Sequence, residues 1–248
     1  MASTPRRLGR KSLDLSCQRL QNVPASVMES PHLRTLDLHG NKLRSLPDAL
    51  SRLTQLQELD LSDNQLSVLP SSLFELRNLR VLRVDSNHLG AIPSFVERLD
   101  KLEQFHASDN RLRTLPHEIG ALRNLRILHL TSNRMRRLPR EVGLLRRLEI
   151  LNLGENLLER LPRELGQLNA LVALELSNNR LRSTPAELGR LSGLQFLQLD
   201  NNRLRRYPSW IRELRCPVGL RLMGNPCTRF RATGPRMPPR VLKRNAPR

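Results

Sequence analysis

An asparagine recurs every 23 residues through most of this 248-residue chain. Nine prolines, from Pro24 to Pro208, keep the same step, and leucines fill many of the positions between them in the pattern LxxLxLxxNxLxxLPxxLxxLxx. A constant period of this length predicts a solenoid, in which each repeat forms one coil and only stacked coils bury a common core. The recurring asparagines are Asn41, Asn64, Asn87, Asn110, Asn133, Asn156, Asn179, Asn202 and Asn225.

The pattern within one repeat predicts the shape of one coil. Repeat positions are counted from the first leucine, so that Leu33 and Leu56 both stand at position one, and ten coils cover residues 10–227. Alternating leucines at positions four to six predict a strand with its leucines pointing inward. Proline at position fifteen, followed by leucine-like residues at eighteen and twenty-one, predicts a short helical or 3-10 turn. We therefore predict an α/β solenoid, a curved right-handed horseshoe with a parallel concave β-sheet and a convex layer of short turns.

The asparagine at position nine is predicted to have a structural role. It follows the strand, where the chain must turn sharply, and its amide can both donate to and accept from backbone groups that the turn leaves unpaired. In a stacked array these side chains would form one buried polar ladder.

The repeat identifies a family. Segments such as LRILHLTSNRMRRLPREVGLL and LEILNLGENLLERLPRELGQL resemble the short, cytosolic, 23-residue class of leucine-rich-repeat proteins, including the arrays of Sur-8, Scribble and the plant Ras-group proteins. The resemblance covers about nine-tenths of the chain. It implies a surface that binds other proteins, with a small GTPase, a phosphatase or a polarity complex as the kind of partner.

The concave sheet is the predicted partner-binding surface, because positions three, five, seven and eight project from it. Position three changes from polar to apolar along the array, and four neighbouring apolar residues on an exposed face indicate a docking surface. The alternative is that these aliphatic residues lie partly under their neighbours and only favour strand formation. The candidate residues are Val81, Arg83, Asp85, Gln104, His106, Asp109, Ile127, His129, Ile150, Asn152, Glu155, Ala173, Glu175, Phe196, Gln198 and Asp200.

A group of arginines outside the concave face stands just after the asparagines. In coils two to nine, thirteen cations and one acid, Glu159, stand at positions ten, twelve and thirteen, which we call the basic flank. Three interpretations stay open: the flank pairs with the acids of the concave face, it binds an acidic protein surface, or it binds RNA or acidic lipid headgroups. The flank consists of Lys42, Arg44, Arg111, Arg113, Arg134, Arg136, Arg137, Arg160, Arg180, Arg182, Arg203, Arg205 and Arg206.

The segments outside the repeats are also basic in this chain of net charge +19. Residues 1–9 and 228–248 are predicted to be disordered, and the second segment is rich in proline and arginine. Pro235, Pro238 and Arg240 match PxxPxR, a pattern that an SH3 domain can bind and that Pro/Arg-rich tails also produce by chance.

No motif in the sequence indicates catalysis, a cofactor or a metal site. Phosphate-binding loops of the GxGxxG and GxxxxGK[ST] types are missing, and the three cysteines lack zinc-ligand spacing. His106 and His129 stand on adjacent strands, and we interpret them as paired surface histidines rather than as metal ligands. No transmembrane segment is predicted. We therefore expect a monomeric, non-catalytic scaffold or adaptor of intracellular signalling, located in the cytoplasm or alternatively in the nucleus.

Overall fold

The computed structural model describes residues 11–212, 214 and 219–229. The predicted N-terminal segment 1–9, most of the predicted tail 228–248 and the PxxPxR motif at Pro235, Pro238 and Arg240 lie outside these residues. In the described part of the chain, no helix is long and apolar enough to cross a membrane.

Ten three-residue strands form one open, parallel sheet in chain order, which confirms the predicted solenoid. Each strand occupies positions three to five, and neighbouring strands pair residue i with residue i+23, as in Leu128 with Leu151. Side chains at the same repeat position therefore form continuous rows across the sheet. The strands are β1 (Ser12–Asp14), β2 (Thr35–Asp37), β3 (Glu58–Asp60), β4 (Val81–Arg83), β5 (Gln104–His106), β6 (Ile127–His129), β7 (Ile150–Asn152), β8 (Ala173–Glu175), β9 (Phe196–Gln198) and β10 (Gly219–Arg221).

A layer of short 3-10 helices forms the convex side. Proline precedes them with an extended backbone, as at Pro139 with φ −68° and ψ 146°, and its carbonyl accepts the first bond of the turn, here from Val142 N at 3.3 Å. The 3-10 helices are η1 (Ala25–Glu29), η2 (Asp48–Arg52), η3 (Ser71–Glu75), η4 (Ser94–Arg98), η5 (His117–Ala121), η6 (Arg140–Leu144), η7 (Arg163–Gln167), η8 (Ala186–Arg190) and η9 (Ser209–Arg212). A short helix, α1 (Pro226–Arg229), follows β10 and crosses the predicted domain boundary at 227.

The leucines of both layers fill the space between them. Leu128 and Leu130 from β6 and its turn, with Val142 and Leu145 from the convex side, are completely buried. Because each coil buries its leucines against those of the next, the core runs continuously along the solenoid.

Each recurrent asparagine joins two coils through a buried amide. Asn64 Oδ1 accepts from Leu43 N of the preceding coil at 2.9 Å, and its Nδ2 donates to Leu38 O of that coil and to Leu61 O of its own, both at 3.0 Å. The same pattern recurs from Asn41 to Asn225. The ladder satisfies buried backbone groups that the tight turn leaves without a partner.

The turn between strand and flank has one backbone conformation throughout. Position eight has a positive φ, between 51° and 73°, in all ten coils. Gly40 and Gly224 adopt this conformation without strain, whereas Ser132 and Glu155 adopt it at a cost. The turn directs position ten and its charged side chain away from the sheet and onto the flank.

Candidate functional site

The apolar strip of the concave face consists of Ile127, Ile150, Ala173 and Phe196. These residues occupy the same position on β6, β7, β8 and β9, and the pairing of the four strands makes the strip continuous. Ile127, Ile150 and Ala173 are half-buried, whereas Phe196 is 46% exposed. The opposite face of these strands is buried leucine, so the strip is the free face of a rigid sheet.

Phe196 is held in place by a glycine on the next strand. A Cβ added to Gly219 would lie 2.6 Å from Phe196 Cδ1, closer than any side chain can approach. The phenyl ring therefore rests against the bare backbone of β10, with nearly half of its surface open to solvent. An exposed ring with a fixed position is well suited to anchor a protein partner.

Val81 differs from the other apolar residues proposed for this surface. It is only 8% exposed, and the longer side chains of Glu58 and Gln104 stand beside it on the neighbouring strands. Val81 therefore offers little surface to a partner, and the apolar strip begins at Ile127.

Two histidines form the centre of the concave face. The rings of His106 and His129 meet edge to face with their centroids 4.8 Å apart. Burial, together with His129 and Arg83, lowers the pKa of His106 to about 4, and burial also lowers the pKa of His129. Both rings are therefore neutral at pH 7, and among the described residues no group of three or more His, Cys, Asp or Glu side chains is arranged to hold a metal ion.

The carboxylates of the concave face bind backbone amides of the turns. Asp85 accepts from Ser108 N at 2.7 Å, Glu175 from Ser177 N at 2.6 Å, and Asp200 from Met223 N at 2.7 Å. Glu155 accepts from the hydroxyl of Ser132 at 2.8 Å. Burial nevertheless raises the pKa of Asp85, because its desolvation outweighs these hydrogen bonds. Positions five, seven and eight, which follow the apolar strip along each coil, thus carry the acidic residues of the face.

The basic flank lies beside this face without pairing to it. All its cations are exposed except Arg180, which is half-buried. Among the described residues, none of the flank cations lies within 4.0 Å of a carboxylate oxygen. The described residues therefore show no ion pair between the flank and the concave acids, because Asp85 and Asp200 accept instead from turns of the next coil and Glu175 accepts from its own turn.

Arginines elsewhere do form ion pairs. On the side where the chain descends to the sheet, Arg126 Nη2 lies 2.8 Å from Glu149 Oε1 of the next coil. On the convex side, Arg98 pairs with Glu75 and Arg140 pairs with Glu141. Arginines in other parts of the described chain therefore form ion pairs, so the lack of ion pairs at the flank is a property of that surface.

A groove on the convex side was not anticipated from the sequence. It has a volume of about 470 Å³ between η2, η3 and η4, and its walls include Asp48, Ser72, Glu75, Phe95 and Arg98. Phe95 is 41% exposed and lies under the Arg98 guanidinium, with 5.0 Å from Cζ to the ring centroid. The sequence did hold a signal, because an aromatic residue stands at position seventeen, where η5 to η8 carry glutamate.

Stacked coils, a ladder of asparagines and a free parallel sheet define a leucine-rich-repeat domain. Two family models agree: a leucine-rich repeat region matches residues 11–110, and a leucine-rich repeat matches residues 123–181 and 146–204. The chain belongs to the leucine-rich-repeat family. Domains of this family are typically protein-interaction modules rather than enzymes.

Solved structures show the same fold. A leucine-rich-repeat protein of Leptospira interrogans is 33% identical, with a TM-score of 0.69, over 84% of this chain and 59% of that one. The plant peptide hormone receptor RGFR1, in complex with RGF2, is 30% identical with a TM-score of 0.75 over 82% of this chain and 34% of the receptor. The Arabidopsis receptor kinase HAESA ectodomain, in complex with an IDA peptide hormone, is 29% identical with a TM-score of 0.72 over 82% of this chain and 36% of that one. The chain thus spans about three-fifths or less of these proteins, and no curated protein matches it.

Proposed function

We propose that the chain is a non-catalytic, monomeric scaffold or adaptor that binds a protein partner on the concave face of coils four to nine. The observation that carries the proposal is the half-exposed Phe196 ring, held against Gly219 at the end of the apolar strip. Burying such an anchor against a partner supplies most of the energy that a compact interface needs.

The surroundings of the strip favour a partner with a mixed surface. Glu175 and Asp200 stand beside the apolar strip, so a partner that places basic side chains around an apolar centre would complement both. The peptide complexes of RGFR1 and HAESA support binding of a polypeptide by this fold. Family resemblance adds a cytoplasmic signalling role and a small GTPase, a phosphatase or a polarity complex as the partner classes to test first.

Affinity capture with matched variants tests the proposal. The variant Ile150→Asp with Phe196→Asp places two carboxylates in the strip, and we expect it to lose the captured partner. The control Val68→Asp with Phe95→Asp makes the same chemical change at two apolar residues that are exposed outside the concave face. Mass spectrometry identifies the proteins that the control retains and the concave variant loses. Equal capture by both variants, with unchanged thermal unfolding, would contradict a concave site.

A further inference from the structure

The basic flank carries a second binding surface, separate from the concave strip. We infer that it docks an extended acidic segment of a protein, laid across successive coils. Four observations lead to this inference: the alignment of the cations, their lack of partners, the acids that border them, and their side-chain chemistry.

The cations are aligned in rows by the stacking of the coils. Backbone bonds fix position ten of each coil on the coil before it: Arg134 N donates to Leu112 O, Arg180 N to Leu158 O and Arg203 N to Leu181 O, each at 2.9 Å. Within coils five and six, and again within coils eight and nine, the arginines that start from these backbone positions therefore form short rows of positive charge. A rigid row of like charges is unfavourable unless an anion is supplied from outside.

No such anion is supplied by the described part of the chain. Three carboxylates of the concave face, Asp85, Asp200 and Glu155, already accept hydrogen bonds from the turns. Asp109 at the border and Glu159 within the flank form no ion pair with a flank cation. Apart from Arg44, whose Nε donates to Gln65 Oε1 at 3.3 Å, the flank guanidinium groups make no side-chain hydrogen bond among the described residues, and an acidic ligand would break no ion pair there.

Carboxylates border the flank on its concave side and limit the width of its ligand. On the concave side, Asp109 and Glu155 precede it at position eight. A nucleic-acid duplex or a membrane surface is broad enough to press its phosphates against these carboxylates, which costs about 1 kcal/mol per close pair in water. A narrow anionic chain contacts the cations and avoids the border.

The chemistry of the flank distinguishes a polypeptide from single-stranded RNA. Single-strand binders stack bases on aromatic side chains, and positions ten to thirteen of the flank hold no Phe, Tyr or Trp. Twelve of its thirteen cations are arginine, whose planar group bonds a carboxylate through two parallel hydrogen bonds. An extended peptide places alternate side chains on one side about 6.6–7 Å apart, which is longer than the step of about 4.8 Å between paired coils, so the long arginine side chains must spread to meet its carboxylates.

Coils three and four carry no lysine or arginine in the flank, and coil seven interrupts it a second time. Leu157 and Glu159 stand at positions ten and twelve of that coil, between five arginines on coils five and six and five on coils eight and nine. Glu159 is exposed and is the single acid of the flank. Its carboxylate therefore weakens the binding of any acidic chain that crosses the gap.

Fluorescence anisotropy of a labelled peptide of about twelve residues, alternating glutamate and serine, tests the inference on the full chain. In about 50 mM salt we expect Arg134→Gln, Arg136→Gln and Arg137→Gln together to weaken binding about tenfold. The matched control Arg140→Gln, Arg146→Gln and Arg147→Gln removes three charges from the same coil on its convex side, and we expect a change of less than about twofold. Glu159→Gln should tighten binding about twofold.

Two outcomes would overturn the inference. Equal losses in the two triple variants would mean that only net charge matters, and tighter binding of a charge-matched RNA or of anionic phosphatidylserine vesicles than of the peptide would assign the flank to phosphate ligands. The variant Ile150→Asp with Phe196→Asp should keep full affinity for the peptide. That result separates the flank from the proposed concave site, so either proposal can fail without the other.

Discussion

The convex layer is built differently in the two halves of the solenoid, although the concave sheet runs through both halves without a break. In coils six and seven, position nineteen is Gly143 or Gly166, and a Cβ added there would lie 2.4 or 2.2 Å from the carbonyl oxygen of Glu164 or Glu187 in the next coil. In coils two and three the same position is Ser51 or the buried Phe74, and a groove opens beside them. The strand side of a coil is thus set by backbone pairing, whereas one side chain sets how closely the convex turns approach.

The largest expected effect concerns the asparagine ladder, which is the same in both halves of the solenoid. We expect Asn64→Ala and Asn133→Ala, one from each half, to lower the free energy of unfolding by about 3 kcal/mol each, because each leaves several buried backbone groups unpaired. Urea unfolding followed by circular dichroism measures both values. The exposed Asn169→Ala serves as control, with an expected cost below about 0.5 kcal/mol. A ladder that mattered in one half only would give two clearly different values for the buried pair.

A smaller effect concerns position nineteen of the convex layer, where the two halves differ. Gly143→Ala should cost about 2 kcal/mol, because the new methyl group meets the Glu164 carbonyl and the coils must separate to admit it. Ser51→Ala stands at the same repeat position in the first half, where Ser51 bonds only to the Asp48 carbonyl, and should cost about 0.5 kcal/mol or less. Thermal and urea unfolding of the two variants measure the loss of free energy of unfolding that each substitution causes. Similar costs would show that position nineteen does not set the spacing of the convex turns.

The smallest effect concerns the histidines of coils five and six, where the two halves meet. The pKa of His106 is lowered to about 4, so between pH 6.5 and about 4 the unfolded chain binds this proton more tightly than the folded chain. Stability should therefore fall as the pH falls through this range, by about 1 kcal/mol after allowance for partial exposure. Asp85, whose raised pKa acts in the opposite direction, is common to wild type and variant.

Comparison with His106→Gln isolates the histidine contribution. The difference between the urea midpoints of the two proteins, measured at pH 7.5 and again at pH 4.5, should shift in favour of the variant at the lower pH. A difference that stays constant with pH would contradict the assignment of a lowered pKa to His106.

The sequence predicts the interior of the molecule well, because the interior repeats. Leu128 and Leu151 had to point inward once the alternation around them was recognised, and the 23-residue step then determined which strands pair. The fold class and the convex turns followed from that periodicity, whereas each strand begins and ends one residue earlier than the predicted positions four to six.

The surfaces were harder to predict, because they depend on which of several neighbours a side chain contacts. Val81 is an apolar residue on a concave strand, as expected for a docking residue, yet it is buried beside its neighbours. The concave carboxylates are close enough to the flank in sequence to suggest ion pairs, yet backbone amides of the turns bind them instead. Gly219 gave no signal in the repeat pattern, although it is the residue that leaves room for the Phe196 ring.

The asparagine ladder also determines the order in which the coils can complete their hydrogen bonds during synthesis. The position-eleven amide of one coil, such as Leu181 N, donates to an asparagine that lies 21 residues later, here Asn202. The ribosome synthesises the chain from its N-terminus. The position-eleven amide of each coil therefore stays unpaired until the asparagine of the next coil has been synthesised. The growing solenoid therefore always ends in one incomplete coil, until Asn225 accepts from Leu204 and completes the last such pair in the described chain.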